Sequence, residues 1–200
     1  MNIANKLTVL RMILIPIFLF FLSISDPLVA NVWVSRWELV IWFSNWSLAR
    51  LIAISIFAVA SFTDFLDGYL ARKHNLVTNF GKFLDPVADK LLVSSALIAL
   101  IPITALPPWV VIIIIGRDIM MSAFRMIAIS EGIVIAADKL GKIKTVLQMI
   151  MILYFMSVGS PYRTVDIMGF ILICLVVILT VFSAIDYLVK NKHVLKLDDI

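Results

Sequence analysis

The chain has 200 residues, 62% of them hydrophobic and only 15% charged, with a formal net charge of +4. Soluble domains carry about 25% charged residues, so an ordinary soluble globule is excluded, and the small basic excess gives no reason to expect a nucleic-acid partner. The apolar residues lie in long blocks rather than stripes, and a bilayer-crossing helix needs about 20 mostly apolar residues. Six blocks are of that kind, at about 7–28, 48–69, 87–106, 108–131, 143–159 and 165–189. The expected fold is therefore all-α: a polytopic integral membrane protein with six transmembrane helices, forming a single domain over residues 1–200.

In chain order, the first block follows Lys6, carries Arg11 and lacks a small-residue cleavage site, so it reads as a retained span rather than a cleaved signal peptide. Pro16 should kink or loosen that helix, which membrane helices tolerate. Residues 31–46 hold Trp33, Trp37, Trp42 and Trp46 and suggest an amphipathic anchor lying in the outer interface. The second block runs into Asp64, Asp67, Gly68, Ala71 and Arg72; the third opens with Gly81, Asp85, Pro86 and Asp89. His74 is expected in a polar, basic connection at 70–86. Pro102, Pro107 and Pro108 break the chain before the fourth block, which carries Arg117, Asp118 and Arg125. A second basic connection at 132–144 contains Lys139, Lys142 and Lys144, and Gly159-Ser160-Pro161 separates the last two blocks. Cys174, in the sixth, is a lone cysteine and offers neither a disulfide nor a thiolate metal site.

The basic residues fix an orientation. Lys6, Arg11, Arg72, Lys73, Lys82, Lys90, Lys139, Lys142, Lys144, Lys190, Lys192 and Lys196 fall on one side, and Arg36, Arg50 and Arg163 on the other, twelve against three. The richer side is cytoplasmic. Both termini and the acids then face the cytoplasm across the plasma membrane, and the tryptophans, Trp109 included, lie at the outer surface.

The acids carry the chemistry. Asp64 and Asp67 are three residues apart, and Ala71 follows Asp67 by four, so with Gly68 they share one helical face. Gly81, Asp85 and Asp89 recur at four-residue spacing and form a second face; Pro86 fits there because a first helical turn has unpaired N–H groups. Two antiparallel neighbours joined by a short loop would bring the faces together. Four bare carboxylates would repel one another in a membrane setting. Two divalent cations remove that difficulty, and oxygen-only ligands favour Mg2+ or Mn2+. Metals paired about 3.5–4 Å apart are a common device for phosphoryl chemistry. Gly68, Ala71 and Gly81 leave room for a ligand against helix backbones, and the planar fork of Arg72 suits a phosphate oxygen. The alternative is a set of surface acids solvated at the membrane edge, with glycines serving helix packing.

Written out, the pattern is D-x2-D-G-x2-A-R-x8-G-x3-D-x3-D. At every position it resembles the signature of the CDP-alcohol phosphotransferases, integral membrane enzymes of phospholipid synthesis. That resemblance implies transfer of a phosphatidyl group from CDP-diacylglycerol, or a related CDP-alcohol, to a hydroxyl acceptor with release of CMP. It implies metal ligation by Asp64, Asp67 and Asp85, with Asp89 as general base and further metal contact. It places Gly68, Ala71, Arg72 and Gly81 along the CDP site and leads us to expect a homodimer. Direct in-line attack is expected, because no Ser, Cys or His lies in the motif.

The acceptor is read from other segments. Residues 2–11, Gly116-Arg117-Asp118 through Arg125, and 140–145 are similar to segments of the bacterial phosphatidylglycerophosphate synthases of that family, which implies sn-glycerol 3-phosphate. Physically, Arg117 and Arg125 are too costly to face lipid and should turn inward. Either Asp118 pairs with one of them, or they form a phosphate pocket with Lys142 and Lys144; the basic loop could also contact anionic headgroups. The rival readings are the same chemistry with inositol phosphate, serine or phosphatidylglycerol, and a divalent-cation transporter. Against transport, the acids lie at the cytoplasmic end rather than near the bilayer midplane.

Overall fold

The computed structural model describes residues 3–25, 46–74, 79–104, 106–130, 139–158 and 166–191. Side chains are described over 8–25, 48–63, 87–104 except Asp89, 106–129, 140–158 and 166–191. These residues form six helices and, among the described residues, no strand: α1 (Ile3–Ile24), α2 (Trp46–His74), α3 (Asn79–Ile103), α4 (Pro108–Ser130), α5 (Lys139–Val158) and α6 (Ile167–Lys190). The all-helical expectation holds.

Two stretches, Leu140–Val158 and Ile167–Lys190, are long and apolar enough to cross a membrane by length and composition. Shorter apolar stretches run over Thr8–Ile24, Leu48–Thr63 and Lys90–Ile103, while α4 is interrupted by Arg117, Asp118 and Arg125. Two of the six expected spans therefore stand on the described residues by this measure.

The helices overrun the apolar blocks wherever polar sequence can continue the backbone ladder. α2 runs through residues 64–72 to His74 and α3 begins at Asn79, so the connection expected over 70–86 contracts to 75–78 and His74 closes a helix. α5 likewise begins at Lys139, inside the connection expected at 132–144. Hydropathy marks the part of a helix suited to hydrocarbon, whereas backbone hydrogen bonding continues through polar residues. α3 even runs through Pro86, its eighth residue and not in the first turn as expected, because one proline removes a single N–H donor that the rest of the helix can spare. Pro16 lies within α1 and Pro102 in the last turn of α3. The tryptophan segment up to residue 45 and the Gly159-Ser160-Pro161 break lie outside the described residues.

The chain divides into two compact units. The first comprises residues 1–105 and 155–164, the second 106–154 and 165–200. In the first, α1 packs against α2 and α3. Its buried residues Thr8, Arg11, Ile15, Phe18 and Leu22 fall at alternating three- and four-residue steps, a single stripe on one helix face. α2 answers with Ala49, Ala53, Phe57 and Ala60, and α3 with Ala88, Leu92, Ala96 and Leu100. Small side chains let backbones approach closely, the usual source of association between apolar helices in lipid. Phe18 and Phe57, both fully buried, meet with ring centroids 5.6 Å apart.

In the second unit α4 packs against α6. Met121, Phe124 and Ala128 form a cluster with Ala184 and Tyr187, and the Phe124 and Tyr187 rings meet edge-on at 5.7 Å. Asp166 caps α6 by accepting from the Gly169 N–H at 3.0 Å, and it also accepts from the Tyr154 hydroxyl near the end of α5. Outward faces are largely apolar: Ile112, Met126, Ile167, Phe170 and Ile178 are more than 60% exposed. Hydroxyls on these helices bond back to their own helix, as Ser55 does to the Leu51 carbonyl at 2.8 Å and Thr63 to that of Val59 at 2.6 Å, which hides their polarity from an apolar surrounding.

Replacing Phe57 by Ala should empty the centre of the first unit. We expect a loss of about 3 kcal/mol, read as a lower unfolding temperature of the protein in detergent; an unchanged transition would remove the Phe18–Phe57 contact as a stabilising element.

Candidate active site

All eight residues of the acidic motif lie in helical backbone of the first unit. Asp64, Asp67, Gly68, Ala71 and Arg72 belong to the unbroken second half of α2; Gly81, Asp85 and Asp89 belong to the first half of α3. The spacings of three and four are therefore true helical spacings, and each pair of acids shares a face of its helix. Their side chains lie outside those described. Among the described side chains no group of three metal-ligating residues occurs. The donor set nevertheless fits a hard divalent cation: four carboxylates, no thiolate and no imidazole at the motif positions.

The second unit holds a polar cluster whose geometry is described in full. The Lys144 side chain on α5 is only 2% exposed, and its Nζ donates to Asp118 Oδ1 on α4 at 2.6 Å. The same oxygen accepts from Arg117 Nη1 at 3.3 Å. Arg117 Nη2 donates to Ser183 Oγ on α6 at 3.0 Å, and Ser183 passes its own proton to the Thr180 carbonyl at 3.2 Å. One carboxylate of the second unit thus accepts from two cations. In the same unit, Arg117 Nε, Gln148 Oε1, Thr180 Oγ1 and the Tyr187 hydroxyl are buried without a hydrogen-bond partner. Buried polar atoms are normally satisfied by protein, water or ligand.

Of the four cations considered for an acceptor pocket, Arg117 and Lys144 are brought together; Arg125 and Lys142 are exposed. Lys142 precedes Lys144 by two, and residues two apart on a helix do not face each other. Asp118 pairs with Arg117 as anticipated, and its shorter bond is to Lys144. Reasoning from sequence missed Ser183, whose partner lies 66 positions away. It used Arg11 for orientation and as part of the 2–11 segment but did not foresee its burial, at 1% exposure on the packed stripe of α1. The three- and four-residue steps through Thr8, Arg11 and Ile15 were the available signal.

Comparison with known proteins gives a consistent result. Residues 1–182 match the family model described as CDP-alcohol phosphatidyltransferase. The CDP-diacylglycerol–glycerol-3-phosphate 3-phosphatidyltransferase of Bacillus subtilis (strain 168) is 41% identical over 197 residues, 98% of this chain and 97% of that one. A probable phosphatidylglycerophosphate synthase of Mycobacterium tuberculosis (strain ATCC 25618 / H37Rv) is 35% identical over 190 residues, covering 94% of this chain and 81% of its own. The CDP-diacylglycerol–glycerol-3-phosphate 3-phosphatidyltransferase of Rickettsia prowazekii (strain Madrid E) is 34% identical over 188 residues, 93% of each.

Removing one partner of a buried ion pair leaves the other charge uncompensated. Lys144→Met should therefore cost about 3 kcal/mol, read as a lower unfolding temperature in detergent; a transition unchanged from the parent would remove the Lys144–Asp118 bond as a tether between α4 and α5.

Proposed function

The chain belongs to the CDP-alcohol phosphatidyltransferase family, and from that premise we propose that it transfers the phosphatidyl group of CDP-diacylglycerol to sn-glycerol 3-phosphate, giving phosphatidylglycerophosphate and CMP. The observation that supports the choice of acceptor is the gathering of two cations, Arg117 and Lys144, at Asp118. Cations gathered in this way suit the phosphate of an anionic acceptor better than serine or another acceptor without net charge.

In this reading Asp89 takes the proton from the acceptor's free primary hydroxyl as its oxygen attacks the lipid-side phosphorus. One P–O bond forms, the P–O bond to CMP breaks in line with it, and the electron pair leaves with CMP. Arg72 donates to the diphosphate, and Gly68, Ala71 and Gly81 keep α2 and α3 bare enough for the nucleotide. Asp64, Asp67, Asp85 and Asp89 would hold two divalent cations, Mg2+ or Mn2+, whose charge stabilises the diphosphate and the attacking oxygen. Arg117 and Lys144 bind the acceptor's phosphate. Arg125 and Lys142, being exposed, attract it from solution.

The same reading makes residues 1–200 one functional domain with six membrane spans in the plasma membrane, both termini and the reaction on the cytoplasmic side, and a homodimer as the assembled form. Helix lengths of 20–29 residues correspond to about 30–44 Å, enough to cross a bilayer, and the twelve-to-three distribution of basic residues sets the direction.

CMP release by purified protein in detergent tests the assignment, with CDP-diacylglycerol, Mg2+ or Mn2+, and each acceptor in turn. Release with sn-glycerol 3-phosphate alone, abolished by chelation, is the expected result; release only with serine would discard the acceptor. Asp89→Asn should lower turnover by at least about a hundredfold while metal-dependent CDP-diacylglycerol binding persists in part. Retained turnover would remove Asp89 as the base. Arg117→Ala should raise the acceptor KM more than the lipid KM, and equal effects on both would count against an acceptor pocket at this cluster.

A further inference from the structure

We propose that Asp118 and Ser183 are positioning residues for the acceptor's phosphate, acting through Arg117 and Lys144; the inference rests on the acceptor reading above. Two of the three guanidinium nitrogens of Arg117 are held. Nη1 meets Asp118 Oδ1 at 3.3 Å, and Nη2 meets Ser183 Oγ at 3.0 Å. The third, Nε, is buried without a partner. A planar guanidinium fixed at both outer nitrogens has little freedom to turn, so its remaining Nε–H donor is presented in one orientation, as a charge-assisted bond to a phosphate oxygen needs.

Asp118 does one further thing with the same oxygen. It brings the Lys144 ammonium from α5 to within 2.6 Å of the atom that also holds Arg117, so the two cations are gathered at one place. Ser183 is suited to a directional role. It is 2% exposed, and its proton is committed to the Thr180 carbonyl at 3.2 Å, which leaves its lone pairs facing a donor. The hydroxyl therefore serves Arg117 as an acceptor with a fixed rotor. Nothing in this arrangement requires Asp118 or Ser183 to touch substrate.

The test uses the full chain in detergent, with acceptor and CDP-diacylglycerol varied separately, on Ser183→Ala, Ser183→Thr, Asp118→Asn and Asp118→Glu. Each variant's thermal unfolding is recorded alongside. Losing one hydrogen bond to a charged group should raise the acceptor KM about tenfold in Ser183→Ala and at least as much in Asp118→Asn. The lipid KM should stay near the parent value, and Ser183→Thr and Asp118→Glu should recover most of the loss. A folded Ser183→Ala with an unchanged acceptor KM overturns the proposal, as does a fall in kcat with both KM values unchanged. If Asp118→Asn fails to fold, the serine pair decides alone. If the parent protein uses sn-glycerol 3-phosphate and Arg117→Ala raises its KM while Ser183→Ala does not, the acceptor reading stands and this inference falls. If the parent uses only a neutral acceptor, both fall together.

Discussion

A charge placed among apolar helices must be matched, because neither lipid nor packed side chains can solvate it. That one constraint organises this protein. It draws Lys144 and Arg117 onto a single carboxylate, and it gives the proposed sharing of cations by the four aspartates on α2 and α3 its physical reason. It also turns the hydroxyls of Ser55, Thr63 and Thr145 back on their own helices. The two polar centres differ in kind: carboxylates recur along α2 and α3, whereas Arg117 and Lys144 gather at one carboxylate in the second unit.

The scaffold around these centres is built from apolar pieces that give them fixed places. Alanines on α2 and α3 allow α1 to lie close, and the stripe from Thr8 to Leu22 carries Arg11 into that contact. In the second unit, Phe124 and Tyr187 seal α4 against α6 one to two turns along from Arg117 and Ser183. Aromatic and alanine contacts of this sort are tolerant of sliding and rotation, since apolar surface meets apolar surface in lipid and in protein alike. Specific geometry has to come from the few polar bonds.

Much of this was legible in the sequence, and the reasons differ by element. The all-helical fold followed from long apolar blocks that no soluble helix would need, and the acidic motif from spacings that helical backbone now spans without a break. Helix ends were misjudged at His74, Asn79 and Lys139, because hydropathy reports where a helix sits and not where its hydrogen bonds stop. The link between Arg117 and Asp118 was open to sequence because the two are adjacent. The bond from Asp118 to Lys144 crosses 26 positions, and that from Arg117 to Ser183 crosses 66. No periodicity encodes which turn of one helix lies beside which turn of another, so the serine could only appear once the helices were packed.

The adjacency of Arg117 and Asp118 has a mechanical consequence. Successive residues on a helix project about 100° apart, so this single step reaches towards two different neighbours, α5 through Lys144 and α6 through Ser183. A rod tethered once can still swivel about the tether. Tethered at nearly one height in two directions, α4 can neither spin about its axis nor ride up or down without breaking a charged bond. The dipeptide thus works as a clevis, setting both azimuth and height for a helix whose outer surface, at Ile112, Ile119 and Met126, is apolar and offers no directional bond of its own.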